Sequence, residues 1–247
     1  MTPYFTRLRS FGRIKTHAFS PRQLQLVEEH GTRFSVPDFQ DIQDFYQNTA
    51  YPDSTETPSC AMWIKRLKTD FTKINLEIGF GGGEHLLKRA NASTNEYWIG
   101  AEPFLNGWIK ALDGAVEQRL NNVALYNQDV RDLLEKIPAS SLDRICILYP
   151  DPWHKQRHHK RRIINDALIQ QLAHVLKIDG IVEVATDIPN YAEWIINHFI
   201  KAQDDFQSPS LPFSSHIMPF EGWPGTRYEE KAKIAGRDCY YLTFIRK

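Results

Sequence analysis

Five acids stand at or beside the ends of five short apolar runs. Glu77 lies in Leu76-Glu77-Ile78, and Glu102 follows Tyr97–Ala101. Asp129 comes after Val123–Tyr126, Asp151 after Arg144–Leu148, and Asp187 after Ile181–Ala185. Behind Glu77 comes Gly79-Phe80-Gly81-Gly82-Gly83, spaced Gly-x-Gly-x-Gly rather than Gly-x-Gly-x-x-Gly. Glycines permit positive φ and let a ligand approach the backbone closely. A dinucleotide would set its pyrophosphate at the helix N-terminus that follows, where a neighbouring carboxylate repels it. A phosphate-free cation is favoured there instead. S-adenosylmethionine, with its α-ammonium and sulfonium, is such a ligand, so Glu77, Gly79, Gly81 and Gly83 are the expected cofactor loop. Glu102 is placed to accept from ribose hydroxyls, and Asp129 from an adenine amino group. Taken singly, a Gly-rich turn is also a plain strand–helix connection and each acid a solvated loop residue. Three acids after three consecutive strands weigh against that reading.

The segment Pro150-Asp151-Pro152-Trp153-His154-Lys155-Gln156-Arg157-His158-His159-Lys160-Arg161-Arg162 concentrates a second kind of chemistry. Two prolines stiffen the backbone around Asp151 and hold its carboxylate at the edge of the sheet. Trp153 offers a stacking face or a lid over the core, and the bases that follow can neutralise phosphates. Zinc bound by His154, His158 and His159 is disfavoured, because no cysteine lies near and adjacent histidines hold one metal poorly. No metal is expected.

The elements that must position these groups alternate. Strands are expected at Ile74–Ile78, Tyr97–Ala101, Val123–Tyr126, Arg144–Leu148, Ile181–Ala185 and Cys239–Ile245. Helices are expected at Glu84–Ala90, Leu105–Arg119, Val130–Glu135, Ile163–Leu176 and Tyr191–Ile200. Short strands separated by helices predict an α/β, doubly wound, mostly parallel sheet, whose ligands bind at the strands' carboxyl ends. Residues 1–70 read as a basic N-terminal arm, a short helix around Pro21–His30 and an acidic irregular segment. Residues 71–247 read as the catalytic domain, with an irregular connection over Phe206–Phe220.

Composition narrows the class. The chain has 247 residues, 30 Lys+Arg against 30 Asp+Glu, and 42% apolar residues, values that suit a globular enzyme and not a disordered chain. No uncharged stretch suits a membrane span, and the start lacks a secretory apolar run. Three scattered cysteines, Cys60, Cys146 and Cys239, give no disulfide framework, which favours a reducing compartment, expected to be the cytoplasm. The acid-free start with Arg7, Arg9, Arg13, Lys15 and Arg22 fits a mitochondrial transit peptide less well, since Ser and Ala content is modest. Basic patches on a neutral body suggest a defined polyanion as partner. The sequence is neutral between monomer and homodimer.

The runs LEIGFGGGEHL, LYPDPWHKQRHHKRR, ATDIPNYAEW and GTRYEEKA closely resemble the bacterial tRNA (guanine-N7)-methyltransferase family over about residues 70 to 247. Phe11-Gly12-Arg13 resembles the family's basic N-terminal element. Two turns depart from the family's usual form, Gly82-Gly83-Glu84 and Ala101-Glu102-Pro103, and both keep the acid or glycine that matters. The resemblance implies a class I S-adenosylmethionine-dependent methyltransferase fold with a C-terminal antiparallel strand, S-adenosylmethionine as methyl donor, and tRNA as acceptor. The acceptor atom is then N7 of the variable-loop guanine at tRNA position 46. It also implies roles. Glu77, Glu102, Asp129 and Asp151 line the cofactor, with Asp151 the catalytic residue. Lys155, Asp187, Thr226, Arg227, Tyr228 and Glu229 contact the substrate, and Arg157, His158, His159, Lys160, Arg161 and Arg162 touch the RNA.

Blander roles stay open at several of these positions: Asp187 as cap of the helix at Pro189, Tyr228 as packing, Glu229-Glu230 with Lys231 and Lys233 as an ion-paired surface. Three rival functions remain: an exocyclic amino-methyltransferase, suggested by Asp151-Pro152-Trp153; a nicotinamide-dependent oxidoreductase, disfavoured by Glu77; and a non-catalytic RNA-binding module, disfavoured by the intact set of acids.

Overall fold

The structure, a computed structural model, describes residues 18–37, 59–207 and 216–247. The basic arm through Lys15 with Phe11-Gly12-Arg13, most of the acidic segment from Asp38 to Glu56, and residues 208–215 of the expected irregular connection lie outside the described residues.

Helix α1 (Pro21–Phe34) starts at a capping box: the Gln23 amide donates to Ser20 Oγ and the Ser20 amide to Gln23 Oε1, with Pro21 at the first helical position. It buries Val27 and Phe34. Helix α2 (Cys60–Asp70), capped by Ser59, has no counterpart in the sequence expectations. Its apolar residues Cys60, Ile64 and Leu67 fall at helical spacing and enter the core beneath β1, a stripe too short to stand out by periodicity.

The remaining elements are β1 (Lys73–Ile78), α3 (Glu84–Ala92), β2 (Glu96–Ala101), α4 (Leu105–Glu117), β3 (Val123–Tyr126), α5 (Val130–Lys136), β4 (Leu142–Leu148), a 3-10 turn (Gln156–Arg161), α6 (Asp166–Val175), β5 (Leu176–Thr186), α7 (Pro189–Lys201), β6 (Phe206–Gln207), α8 (Arg227–Ile234) and β7 (Tyr240–Arg246). They alternate as expected, and the 3-10 turn, β6 and α8 have no counterpart in the sequence expectations. Sheet order is β3-β2-β1-β4-β5-β7-β6. β1 to β5 run parallel, and β7 is antiparallel between β5 and β6. The crossovers reverse direction between β1 and β4, which places the ligand crevice above those two strands. Among the described residues no helix is long and apolar enough to cross a membrane.

Two expectations need correction. The helix foreseen over Ile163–Leu176 starts only at Asp166, where Asn165 Oδ1 accepts from the Leu168 amide. Its last expected residue opens β5, which starts at Leu176 and bends at Asp179 (φ 62°) before Gly180. Phe206, expected in an irregular connection, pairs with Arg246 as part of β6.

Period-two alternation sorts the strand side chains onto two faces. Leu76, Ile99, Ile145, Val182 and Leu242 pack with α2, α5, α6 and α7, while Trp98 and Ala185 pack with α1, α3 and α4. The second face also carries a buried polar row. Glu77, Cys146 and Glu183 are register partners across β1, β4 and β5. Burying carboxylates is tolerated only with partners. His85 Nδ1 lies 2.7 Å from Glu77 Oε2, and Glu183 is ion-paired with Arg144 and accepts from Cys146 Sγ.

Candidate active site

β1 ends in the Gly-rich loop, and three glycines there have positive φ: Gly79 (75°), Gly81 (58°) and Gly83 (81°). Gly83 caps α3 in the left-handed conformation, and a Cβ on it would lie 2.6 Å from Ala111 Cβ. A Cβ on Gly79 would meet nothing within 4 Å, so that part of the loop faces open space. The loop is tied to β2. The Gly81 amide donates to Glu102 Oε2 at 2.8 Å, while the Phe104 amide donates to Glu102 Oε1 at 2.9 Å.

Above the switch point lies a cavity of about 430 Å³, within the roughly 300–1,000 Å³ usual for small-molecule sites. Gly79 and Gly81 floor it, and Glu102, Asp129 and Asp151 supply carboxylates from three different strand ends. Trp153, Arg161, Arg227 and Tyr228 reach its wall. Asp129 caps α5 by accepting from the Arg131 amide and pairs with Arg131 Nη1, 3.0 Å each. Asp151 makes no hydrogen bond or ion pair among the described residues, and its exposed carboxylate faces the cavity.

Charge placement follows from these contacts. Burial raises the Glu102 pKa above its ordinary value of 4.5; the two amides oppose that, the Asp151 charge adds to it and Arg227 opposes it. A cation bound between Glu102 and Asp151 would relieve this strain, and an anion would worsen it. Arg131, Arg161 and Arg227 line the same cavity, so charges of both signs face it. Backbone strain accumulates beside it as well. Tyr149 (φ 51°) and Trp153 (φ 46°), neither of them glycine, bracket Pro150-Asp151-Pro152 in the left-handed region, conformations that cost of order 1–3 kcal/mol each and concentrate at functional sites.

The remaining expected residues fall in three places. Glu77 is 2% exposed and faces His85 behind the glycine loop, outside the cavity wall. Lys155 and His158 line a shallow hollow on the far side of Asp151 and Trp153. Asp187 is held by Arg237 Nε at 2.7 Å. It does not cap α7, whose cap position is Ile188 with no side-chain acceptor. Thr226 caps α8 by accepting from the Glu229 amide at 3.1 Å. Glu229 is 4% exposed: Trp223 Nε1 and Tyr241 Oη donate to it at 2.6 and 2.8 Å, and Lys233 pairs with it. That buried clamp holds α8 so that Arg227 and Tyr228 roof the cavity, with the Tyr228 ring stacked on Tyr149.

The basic run divides by direction. Arg157 and Lys160 are exposed, whereas His158 meets Trp153 edge-on and His159 meets Trp194. The Arg161 guanidinium lies over the Trp153 ring at 5.0 Å. Arg162 corrects the expectation of an RNA contact: it is 1% exposed, and its guanidinium is consumed by the protein interior. Among the described residues no three His, Cys, Asp or Glu side chains are grouped to hold a metal.

Residues 72–242 match the family model described as "Putative methyltransferase". The chain is 43% identical over 178 residues to the tRNA (guanine-N(7)-)-methyltransferase of Agrobacterium fabrum, covering 72% of this chain and 76% of that protein. It is 45% identical over 177 residues to the Azorhizobium caulinodans protein of the same name, covering 70% and 75%. The chain belongs to the tRNA (guanine-N(7)-)-methyltransferase family. Solved structures agree on the fold. The 16S rRNA methyltransferase KamB aligns with a TM-score of 0.54 at 14% identity, over 81% of this chain and 95% of that one. The aminoglycoside resistance methyltransferase NpmB1 aligns at 0.53 and 14%, over 74% and 92%. Identity that low speaks to the class I methyltransferase fold alone, which this tRNA-methyltransferase family member shares.

Sequence reasoning passed over Arg131, Tyr149, Trp223 and Gly107. Only the last left a signal, since a glycine inside a helix marks a close backbone approach: a Cβ on Gly107 would lie 2.2 Å from the Gly81 carbonyl oxygen.

Proposed function

We propose that this chain transfers a methyl group from S-adenosylmethionine to N7 of a variable-loop guanine in tRNA, and that it does so in the cytoplasm. The observation that carries the reading is the cavity at the switch point, with Glu102, Asp129 and Asp151 converging on it from three strand ends. Its size, its open glycine floor and the carboxylates of Glu102 and Asp151 fit S-adenosylmethionine. Glu102 would hold the ribose hydroxyls, Asp129 the adenine amino group, and the Gly79–Gly81 backbone the amino-acid end. Glu77 would act from behind, through the loop. Bound there, the cofactor supplies a methyl group already activated by a sulfonium.

The chain's own task is then small and geometric. Guanine N7 has an unprotonated lone pair at neutral pH, so no side chain has to remove a proton to create the nucleophile. What accelerates transfer is alignment of the base and stabilisation of the positive charge that develops on it. Asp151 is the group for the second role, an unpaired carboxylate on the cavity wall. Carboxylates also accept the adjacent N1–H and N2–H donors of guanine, a role assigned to Asp187 or Glu229 once its present partner yields. Lys155, Thr226, Arg227 and Tyr228 would steady the base or its sugar. Arg157, His158, His159, Lys160 and Arg161 would meet phosphates with the N-terminal arm, offsetting the few kcal/mol that flipping a base costs.

The test is transfer of a labelled methyl group to unmodified tRNA transcripts followed by nucleoside mapping. Label in 7-methylguanosine from the variable loop supports the proposal. Label in an exocyclic amine, or none, overturns it.

A further inference from the structure

Arg162 closes a basic run whose other arginines and lysines reach solvent or the cavity, yet it is 1% exposed. Its Nε donates to the Pro152 carbonyl at 2.8 Å, and its Nη2 donates to Asn190 Oδ1 at 2.7 Å. The guanidinium lies 4.8 Å from the ring centroids of both Tyr191 and Trp194. Asn190, Tyr191 and Trp194 belong to α7, and Pro152 is the residue after Asp151. A buried cation must be compensated; here one carbonyl serves Nε, one amide oxygen serves Nη2 and two aromatic faces meet the guanidinium, while Nη1 has no hydrogen-bond partner among the described residues.

We propose that Arg162 is a positioning residue for methyl transfer: by clamping the Pro152 carbonyl onto α7 it fixes the direction of the Asp151 carboxylate, and it makes no contact with RNA. The proposal rests on the function proposed above. Its physical basis is the strain on either side of the clamp. Tyr149 and Trp153 both hold positive φ, a conformation that persists only when the surroundings enforce it. Tyr149 is held by the Ala185 carbonyl and by Tyr228, and Trp153 by His158 and Arg161; Arg162 holds the residue between them, at Pro152. Only a planar fork serves, because a single ammonium cannot donate to Pro152 and Asn190 while lying flat against two rings. The neighbouring Arg161, turned to the other side over Trp153, leaves the two arginines with opposite tasks.

The experiment compares Arg162→Gln, Arg162→Lys and Asn190→Ala with Arg157→Ala in the full chain, measuring kcat, KM for tRNA, the salt slope of tRNA binding and the melting temperature. Arg162→Gln is expected to lower kcat on the order of 10²-fold, the loss that about 1 Å of misplacement brings. Its tRNA affinity should stay within about twofold and its salt slope unchanged, because no phosphate contact is lost. Arg162→Lys should recover little. Arg157→Ala should instead weaken tRNA binding and lower the salt slope by about one. Asn190 is exposed, so Asn190→Ala decides the matter if Arg162→Gln fails to fold: a loss in kcat without a shift in melting temperature supports the clamp. A lowered salt slope in Arg162→Gln, or an unchanged kcat in a folded variant, overturns it. If the wild type itself transfers no methyl group to tRNA, the proposed function falls first; an active wild type with an indifferent Arg162 sinks this inference alone.

Discussion

Gly107→Ala is a demanding single perturbation of the glycine loop, because the added side chain would collide with backbone. The added Cβ would sit 2.2 Å from the Gly81 carbonyl oxygen and 3.0 Å from its carbon. Both are backbone atoms, so no side chain can rotate away. Reaching even 3.0 Å from that oxygen requires about 0.8 Å of separation between α4 and the loop, overpacking that costs about 1–3 kcal/mol. Alanine returns roughly 0.5–1 kcal/mol of helix propensity. The net loss of about 1 kcal/mol lowers the melting temperature by only about 2–4 °C for a chain of this size. Binding should suffer far more, since the displaced residue is the one whose amide anchors Glu102 at 2.8 Å. A displacement near 1 Å brings a loss on the order of 10²-fold in a site that depends on alignment.

Calorimetric titration with S-adenosylhomocysteine beside a thermal melt reads both quantities. Gly114→Ala on the same helix is the control. Its Cβ would meet Leu87 Cδ1 at 2.6 Å, the far end of a side chain that can turn aside, so affinity should be unchanged and stability equal or higher. Unchanged affinity in Gly107→Ala, or equal losses in both variants, would refute the reasoning.

Three further outcomes follow from the same contacts. Asp151→Ala should cut kcat on the order of 10²–10³-fold, the scale of removing one transition-state electrostatic contact, while filter binding shows tRNA affinity intact; wild-type turnover would remove Asp151 from the site. Glu102 has its pKa raised by burial above 4.5, so its neutral form is favoured in the folded state. Its contribution to stability is greatest below the unfolded pKa and fades as pH rises toward the folded one. Ribose hydroxyls donating to the ionised carboxylate reverse that preference, so affinity for S-adenosylhomocysteine should strengthen as pH climbs through that window, and Glu102→Gln should flatten the profile. Glu229 has a pKa lowered from 4.5 by Lys233, Trp223 and Tyr241 acting against burial. Its stabilisation is present above the unfolded pKa and is lost on acidification through the folded one. Glu229→Ala strands the Trp223 and Tyr241 donors and should cost about 1–3 kcal/mol by urea denaturation.

Much of the fold was legible because its signals are local. Each of the six longer strands carries at least three apolar residues, and Gly83 and Asp129 mark helix starts by chemistry that a sequence displays. The reading missed α2, where three apolar side chains over two turns are enough once β1 is there to receive them. It also missed the opening of β5, whose early residues Leu176–Asp179 are shaped by a pairing with Leu142 far along the chain. In the site, Gly79, Gly81, Glu102, Asp129 and Asp151 converge because strand ends in a doubly wound sheet must converge. Directions were not legible. That Arg161 turns outward and Arg162 inward depends on Trp153 on one side and α7 on the other. Glu229 likewise looked like one member of an exposed charged stretch until Trp223 and Tyr241 arrived from separate segments to enclose it. Sequence displays which charges exist; tertiary packing decides which of them meet solvent.

The proposed function turns on one acceptor atom, a guanine N7 presented beside Asp151. A tRNA transcript carrying 7-deazaguanosine at the single variable-loop position keeps the base's pairing edge and removes only that lone pair. With saturating labelled S-adenosylmethionine, its binding should equal that of the unmodified transcript and no label should be incorporated. Methyl transfer to the deaza-substituted base at a rate near that of the natural transcript would contradict it.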